Sequence, residues 1–377
     1  LPIYDFIITG PDGKEAFGGT GDDFILGGSG GDFLLGNEGN DWIEGGQRFD
    51  TLAGENSELF FNSSIIGHDV LNGGSGDTDY DAESGDDIMF QNNEGIQRSN
   101  GQAGFDWGIH KGDTTAANSD LGIPIFETQE AFILRDRFDL VEGLSGWDLD
   151  DTLTGRSRNT NARGELQNTA AIPGPDSPLD SYSNDLLAKN VDLIDGLDVL
   201  VAHLGAGIPV TKVVNGQTVP VLDENGVQER VIFSTATAGD ILLGGGGNDV
   251  IKGLAGDDII DGDRWLNVRI LVTPKEGDGW AAFSVDSMTE IAARMVAGEI
   301  NPGQLSIVRE ILDGDLDNSD VDTAVYTDVR ANYTISRNEP TATTVHFIDR
   351  ISGGLPPVSD YGVVFDDRFL SPDNYSN

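Results

Sequence analysis

Between residues 18 and 53 the chain repeats a nine-residue unit four times: GGTGDDFIL, GGSGGDFLL, GNEGNDWIE and GGQRFDTLA. Each unit opens on Gly, places Asp sixth and sets a bulky apolar residue eighth. The aspartates are Asp23, Asp32, Asp41 and Asp50, and the apolar residues are Ile25, Leu34, Ile43 and Leu52. Self-similarity at a short fixed period is the mark of a repeat architecture. Gly admits positive φ and a close backbone approach, so GGxG bends where no β-branched residue could follow. The residues after Asp form a short strand that turns its apolar side chain inward. One unit is then a turn plus a strand, and two units close a coil. Aspartates eighteen residues apart, Asp23 with Asp41 and Asp32 with Asp50, should stack along one edge. In the fourth unit Arg48 replaces a glycine, which reads as a closing turn.

The pattern continues in degraded form at GHDVLN (67–72), GGSGDTDYD (73–81) and SGDDIMF (84–90). It returns cleanly over 238–261 as AGDILL, GGGGNDVIK and GLAGDDIID, with an isolated echo, LDDTLTG, at 149–155. Other periods appear elsewhere. Residues 93–182 are turn-rich and read as a surface excursion. Leu187, Val191, Ile194, Leu197, Val201 and Leu204 recur at helical spacing before Gly205. TKVVNGQTVPV (211–221) predicts a hairpin turned at Asn215-Gly216, and a second Asn-Gly at 225–226 predicts another running into VIFSTA. Residues 261–272 read as a strand. Ser287 and Glu290 make a capping box opening a helix with Met288, Ile291, Met295 and Val296 on one face. Asn301-Pro302 predicts a second helix carrying Leu305, Val308 and Leu312, residues 322–338 alternate like paired strands, and the tail is polar. The expected fold is mainly β: a parallel β-roll, or β-solenoid, at 18–92 and 236–264, the two segments packed on each other. A lead-in strand occupies 1–17, an insertion with helix and hairpins 93–235, and a small α/β unit 265–377.

Charge sharpens this picture. Of 377 residues, 22 are Lys or Arg and 65 are Asp or Glu, for a net charge of −43; 47 of the acids are Asp, and 51 residues are Gly. Such a chain repels nucleic-acid phosphates, and no apolar run reaches the length of a membrane span. The absence of Cys excludes disulfides, thiolate zinc sites and cysteine nucleophiles, and suits an oxidising exterior. LPIYDFIITG lacks the features of a signal peptide, so the N-terminus is expected to be a processed end within a longer protein. GGGGNDV lacks the Lys-Ser/Thr of a phosphate loop, and His68, His110, His203 and His346 are dispersed.

Rows of carboxylates about 4–5 Å apart repel by on the order of 1 kcal/mol per pair even in water. A hard dication taking six to eight oxygens at about 2.3–2.6 Å reverses the sign, and calcium suits flexible Asp and carbonyl loops. Several Ca2+ ions are therefore expected. The candidate ligand positions are Gly19, Gly21, Asp23, Gly28, Gly30, Asp32, Gly39, Asp41, Asp50, Asp69, Asp79, Asp87, Asp240, Gly245, Gly247, Asp249, Gly256 and Asp258. Asp77, Asp79, Asp81, Asp86 and Asp87 form a dense cluster beside the degraded units. DGDLDNSDVD (313–322) opens like an EF-hand loop at Asp313, Asp315 and Asp317, but its twelfth position is Ala324 and not the closing Glu, so it reads as a solvated turn.

The units resemble the glycine- and aspartate-rich nonapeptide repeats of RTX (hemolysin-type) calcium-binding proteins. GGDFLLGNEGNDWIEGG, FDTLAGENSELFFNSSIIGHDVLNG, DTDYDAESGDDIM, GFDWGIHKGD and DGDRWLNVRI are further similar to the RTX-bearing region of bacterial secreted proteins related to animal haem peroxidases. The resemblance implies a calcium-binding structural module of a secreted exoprotein, passed through a type I channel and folded by extracellular calcium. It places any haem peroxidase domain elsewhere in the polypeptide, since no segment here matches that domain's catalytic segments, and the chain is expected to be the non-catalytic portion. The Asp-Pro bonds at which some RTX proteins cleave themselves are absent. Implied partners are calcium, other domains of the same polypeptide, or a cell-surface or extracellular partner. The alternative readings are an adhesive, surface-layer or partner-binding module, and the non-catalytic portion of a haem peroxidase-type secreted oxidoreductase.

Overall fold

The computed structural model describes residues 4–56, 65–92, 94–125, 134–155, 190–202, 209–214, 216–222, 226, 228–229, 238–254, 256–314, 320–326, 333–339, 342–347 and 360–365. The N-terminal repeats supply β1 (Phe6–Ile8), β2 (Glu15–Thr20), β3 (Phe24–Gly28), β4 (Phe33–Glu38), β5 (Trp42–Gln47) and β6 (Asp50–Ala53). The degraded units supply β7 (Val70–Ser75), β8 (Thr78–Asp81) and β9 (Ile88–Phe90). Odd strands pair in parallel on one face in the order β1-β3-β5-β7-β9, and even strands on the other as β2-β4-β6-β8. A turn at each edge passes the chain between faces.

The stretch 93–182, expected as an excursion, instead contributes coils. It holds β10 (Gln97–Asn100), β11 (Trp107–Ile109), β12 (Asn118–Asp120), β13 (Arg137–Asp139), β14 (Gly143–Ser145) and β15 (Thr152–Thr154). Next come β16 (Thr211–Val214) and β17 (Gln217–Pro220), an antiparallel hairpin, then β18 (Ala238–Leu243), β19 (Val250–Lys252) and β20 (Gly256–Asp261). The first face runs on unbroken as β9-β11-β14-β18-β20. The two clean repeat runs are thus joined through intermediate coils and do not pack directly on each other. These coils escape a nonapeptide reading because their strands are only three or four residues long and Gln97, Ala117 and Glu142 stand where the repeat would place Asp. The first coil likewise begins earlier than residue 18, since β1 pairs with β3.

Register explains the inner core. Ile25 lies beside Ile43 and Leu34 beside Leu52, so eighth-position residues stack coil on coil. Ile25, Leu34, Ile43, Leu52, Leu71, Met89, Leu144, Leu153, Leu242, Ile251 and Ile260 fill the space between the faces. Each such side chain contributes about 1.5–3 kcal/mol by leaving water.

A second core lies outside the first face. Phe24, Trp42, Val70, Ile88, Trp107, Ile241 and Ile259 belong to one buried cluster with Leu266, Val268, Ile270 and Val272. The latter come from β21 (Arg264–Val272), which pairs antiparallel with β22 (Phe283–Val285) and, over nine residues, with β23 (Leu305–Asp313). Residues 305–313 were expected to be helical. Only a 3-10 turn, Pro302–Gln304, forms there, because pairing with β21 takes up the backbone of the whole segment. The capping box of Ser287 and Glu290 is present, opening a 3-10 turn at Met288–Glu290 before a helix at Ala292–Val296. The predicted helix at 184–204 is a 3-10 turn, Val191–Leu193, and a helix, Leu197–Ala202, parted by Gly196 at φ +86°. Its ends, and most of the second predicted hairpin, lie outside the described residues. Thr323–Ala324 (β24) adds to the second face beside β19, which carries β12-β15-β19-β24. Finally β25 (Tyr333–Glu339), β26 (Ala342–Phe347) and β27 (Asp360–Phe365) extend the first face beyond β20. Among the described residues no helix is long and apolar enough to cross a membrane.

Trp42, fully buried, joins the roll to the antiparallel unit. Trp42→Ala is expected to cost about 3–5 kcal/mol, read from urea unfolding in calcium. An unchanged midpoint would place the indole outside any packed contact.

Candidate metal centre

Each turn from the second face to the first ends on an acid at the start of the next strand, and the acids form a ladder. The backbone N–H of Asp5 donates to Oδ1 of Asp23 at 2.7 Å, that of Asp23 to Asp41 at 2.6 Å, and that of Asp41 to Asp69 at 2.7 Å. Asp69 then donates to Asp87 at 2.6 Å, Asp87 to Asp106 at 2.9 Å, and Asp106 to Oε2 of Glu142 at 3.0 Å. Asp240 donates to Asp258 at 2.8 Å farther along. The expected stacking of Asp23 with Asp41 is observed, and the same bond recurs across sequence separations of 18, 28, 19 and 36 residues.

The opposite edge carries a second, interrupted ladder. Lys14 N–H donates to Asp32 at 2.7 Å and Asp32 N–H to Asp50 at 2.7 Å. Thr78 is in register with Asp50, and Gln97 with Thr78, so two coils present no acid at this position. The ladder resumes where Gln97 donates to Oδ1 of Asp136 at 2.9 Å, and farther along Ala117 donates to Asp151, Asp151 to Asp249 and Asp249 to Asp322, at 2.6, 2.7 and 2.9 Å.

Two ladder carboxylates are satisfied at both oxygens: Oδ2 of Asp32 accepts from Gly28 N–H at 3.1 Å and from Thr9 Oγ1 at 3.3 Å, and Oδ2 of Asp151 accepts from Trp147 N–H at 3.0 Å. Seven others are satisfied at one oxygen only. Asp23, Asp41, Asp50, Asp69, Asp87, Asp106 and Asp249 are 0–1% exposed, yet Oδ2 of each is buried without a hydrogen-bond partner. Except for that of Asp87, these oxygens face glycine backbone. A Cβ placed on Gly18 would sit 2.5 Å from both Oδ2 of Asp23 and the carbonyl oxygen of Gly36. One on Gly155 would sit 2.6 Å from both Oδ2 of Asp240 and the carbonyl of Gly253. Any side chain at these glycines would therefore fill a cradle lined by acceptors alone. A buried acceptor without a donor is costly, and a concave set of carboxylate and carbonyl oxygens fits a hard dication such as Ca2+.

Burial dominates the acidities. It pushes Asp23 up to about 6, Asp50 to about 7, and Asp41 and Asp249 to about 9, with Asp69 adding to the rise at Asp41 and Asp322 at Asp249. Asp69, Asp87 and Asp106 are driven well above the carboxylate range, again by burial first. Glu55 rises to about 11 through burial and the nearby Asp87 and Asp69.

The predicted glycines divide by role. Gly19, Gly21, Gly39, Gly245 and Gly247 adopt positive φ, whereas Gly28 and Gly30 admit the backbone of Gly10 and Gly13 at close range, and Gly256 lies inside β20. Asp79 departs from expectation. Thr78 holds the ladder position, so the pleat turns Asp79 outward, where it pairs with Arg98 at 3.1 Å. Of the dense cluster only Asp87 joins the ladder; Asp77 accepts from Ile96 N–H, Asp81 from Asn100, and Asp86 from Phe105 N–H. Asp313 pairs with Arg264 at 3.3 Å, while Asp315 and Asp317 lie outside the described residues. His110 is buried between Asp113 and Ser119, 2.8 Å from each. Asp106, Asp136, Glu142, Asp151 and Asp322 are ladder members that the repeat reading missed. Asp106 and Asp151 had a readable signal, a glycine five residues earlier at Gly101 and Gly146, as Gly18 precedes Asp23.

Stacked Gly-Asp turns between parallel strands define a β-roll with acid-lined edges. The RTX calcium-binding nonapeptide repeat matches residues 17–56 and 235–264, in four copies. The chain therefore carries RTX calcium-binding repeats, its fold is the mainly β roll of such repeats, and its cofactor is Ca2+. The likeness to haem-peroxidase-related exoproteins gains no support from these matches. No curated protein and no solved structure matched the chain.

Two outcomes follow. At tenfold excess of calcium over its dissociation constant a site adds about 1.4 kcal/mol, so Asp41→Asn should lower stability in calcium by about that much and weaken calcium uptake in calorimetry. Asp79→Asn should change neither, and equal effects of the two would contradict the ladder assignment. Without metal, the raised acidities make the folded chain bind more protons than the unfolded chain between about pH 4 and pH 9, so metal-free stability falls as pH rises through that window. The metal-free chain is expected to keep more strand signal in circular dichroism at pH 5 than at pH 8, with the order of stability reversed in calcium because ligation requires deprotonated carboxylates. A metal-free strand signal that grows with pH would contradict this.

Proposed function

We propose that this chain is a calcium-dependent folding module of a secreted protein. The observation that carries the reading is the series of buried Oδ2 atoms without partners, one per coil, from Asp23 to Asp106. Where calcium is scarce, 43 net negative charges and unmet buried acceptors oppose the fold, leaving an extended chain suited to export through a narrow channel. In millimolar calcium each occupied site adds RT ln(1 + [L]/Kd) to stability. Several sites together then rival the 5–15 kcal/mol typical of a whole domain. The antiparallel unit packed on the first face, and other domains of the same polypeptide, would be ordered by the roll they rest on.

The test is circular dichroism of the whole chain at neutral pH with calcium, after chelation with EDTA, and after calcium is restored. The expected result is loss of the strand signal and of the cooperative melt on chelation, with recovery on restoring calcium. Spectra and melting curves indifferent to chelation would refute the proposal.

A further inference from the structure

One charged residue stands in the apolar row that the antiparallel unit turns toward the roll. Side chains alternate across a strand, and on β23 Leu305, Ile307 and Ile311 belong to, or pack against, the core shared with the first face. Arg309 falls in the same row and is 8% exposed. Its backbone is fixed by register with Val268 in β21 and by Asp195 N–H, which donates to its carbonyl at 3.0 Å. Its Nη2 donates to the carbonyl oxygen of His68, the residue before the ladder acid Asp69.

The guanidinium thereby reaches two adjoining turns of the first edge. His68 Nδ1 accepts the N–H of Asp86 at 2.8 Å, and Asp69 N–H donates to Asp87 at 2.6 Å. These turns carry an acid that the regular turns lack, because the excursion after Gly54 brings in Glu55. That carboxylate is buried near Asp69 and Asp87, and it accepts Gly67 N–H at 2.7 Å and Ser84 N–H at 3.2 Å. The charge of Arg309 opposes the upward push of burial on the acidities of Asp69, Asp86 and Asp87. Yet it takes no bond from the cradle, since Oδ2 of Asp69 and Nε of Arg309 both lack a hydrogen-bond partner. Arg309 is thus a neighbouring charge and not a substitute ligand.

Resting on the calcium-dependent folding reading above, we propose that Arg309 is a resident counter-cation. It docks the antiparallel unit on the turns of Asp69 and Asp87, balances their surplus acid, and lowers the calcium affinity of the Asp69 cradle. Burying a charge is costly unless opposite charges compensate it, and the flanking Ile307 and Ile311 mark a row that otherwise takes apolar side chains. A guanidinium stays charged throughout, so this compensation is present before any ion arrives. A dication entering the cradle then meets a like charge in a medium of low dielectric, where repulsion is stronger than in water. Calcium and Arg309 work on the same acids, and each makes the other less necessary.

The test is urea unfolding of the full chain and of its R309M and R309K variants at two calcium concentrations. One is just sufficient to fold the wild type, and the other is about a hundredfold higher. R309M is expected to lower the folding constant most where calcium is limiting, with the loss shrinking about tenfold at the higher concentration. R309K keeps the charge, so its loss is expected to be the same at both. A loss in R309M that does not shrink with calcium, or one in R309K that shrinks equally, would overturn the proposal, since lost packing alone gives that result. Wild-type stability indifferent to calcium would overturn it together with the folding reading. If R309M folds at neither concentration, D86N/R309M decides, because Asn keeps the acceptor for Phe105 N–H while removing one acid with the arginine. The double variant is expected to fold in calcium, and its failure to do so would overturn the proposal.

Discussion

The structure turns on a carboxylate divided between two tasks. Along the first edge, one oxygen of each acid from Asp23 to Glu142 accepts the N–H of the ladder residue in the coil before, which fixes the spacing and register of the roll. From Asp23 to Asp106 the other oxygen is buried with no donor. The first task is met by the chain and the second only by a cation. Because both belong to one side chain, coil stacking and ion binding are coupled: an ion that holds Oδ2 also holds the hydrogen bond made by Oδ1. This accounts for the need for glycine at Gly18 and Gly155, where a Cβ would occupy the cradle. It also accounts for acids with little exposure at the heart of so negative a chain.

The roll tolerates large interruptions because they enter at one kind of place. Gly54 faces Asp69, Gly155 faces Asp240 and Gly262 faces Asp322, each glycine placed against its acid as in an unbroken turn although residues have been added between them. Excursions thus leave the strands and the inner core untouched. The second edge differs from the first in having Thr78 and Gln97 at ladder positions, which divides its acids into one group near Asp32 and Asp50 and another from Asp136 to Asp322. The first edge carries acids in every coil from Asp23 to Glu142.

Much of this was legible in the residues, and the boundary of legibility has a physical cause. Tandem units reveal the roll because turn and strand share one period, and the inward Ile25, Leu34, Ile43 and Leu52 follow from it directly. The period assigns no role to the residue after each Asp. Phe24, Trp42 and Trp107 are buried in one cluster with residues of β21, which joins segments too distant in sequence for any period to register. Coils between 97 and 155 were hidden because a ladder needs only an acceptor at the right height, which Glu142 supplies as well as Asp. Asp79 misled because density of acids is not register, and one residue along a strand reverses the face. The segment 305–313 has helical spacing of Leu305, Val308 and Leu312, but a nine-residue strand partner decides the matter.

The most direct test is a crystal structure of the chain grown in calcium, with anomalous scattering measured to locate the ions. The account requires anomalous peaks along both edges, each in contact with Oδ2 of a ladder aspartate and with glycine carbonyls of the adjoining coil. A well-ordered roll whose cradles at Asp23, Asp41, Asp69 and Asp87 showed no metal in that map would contradict it.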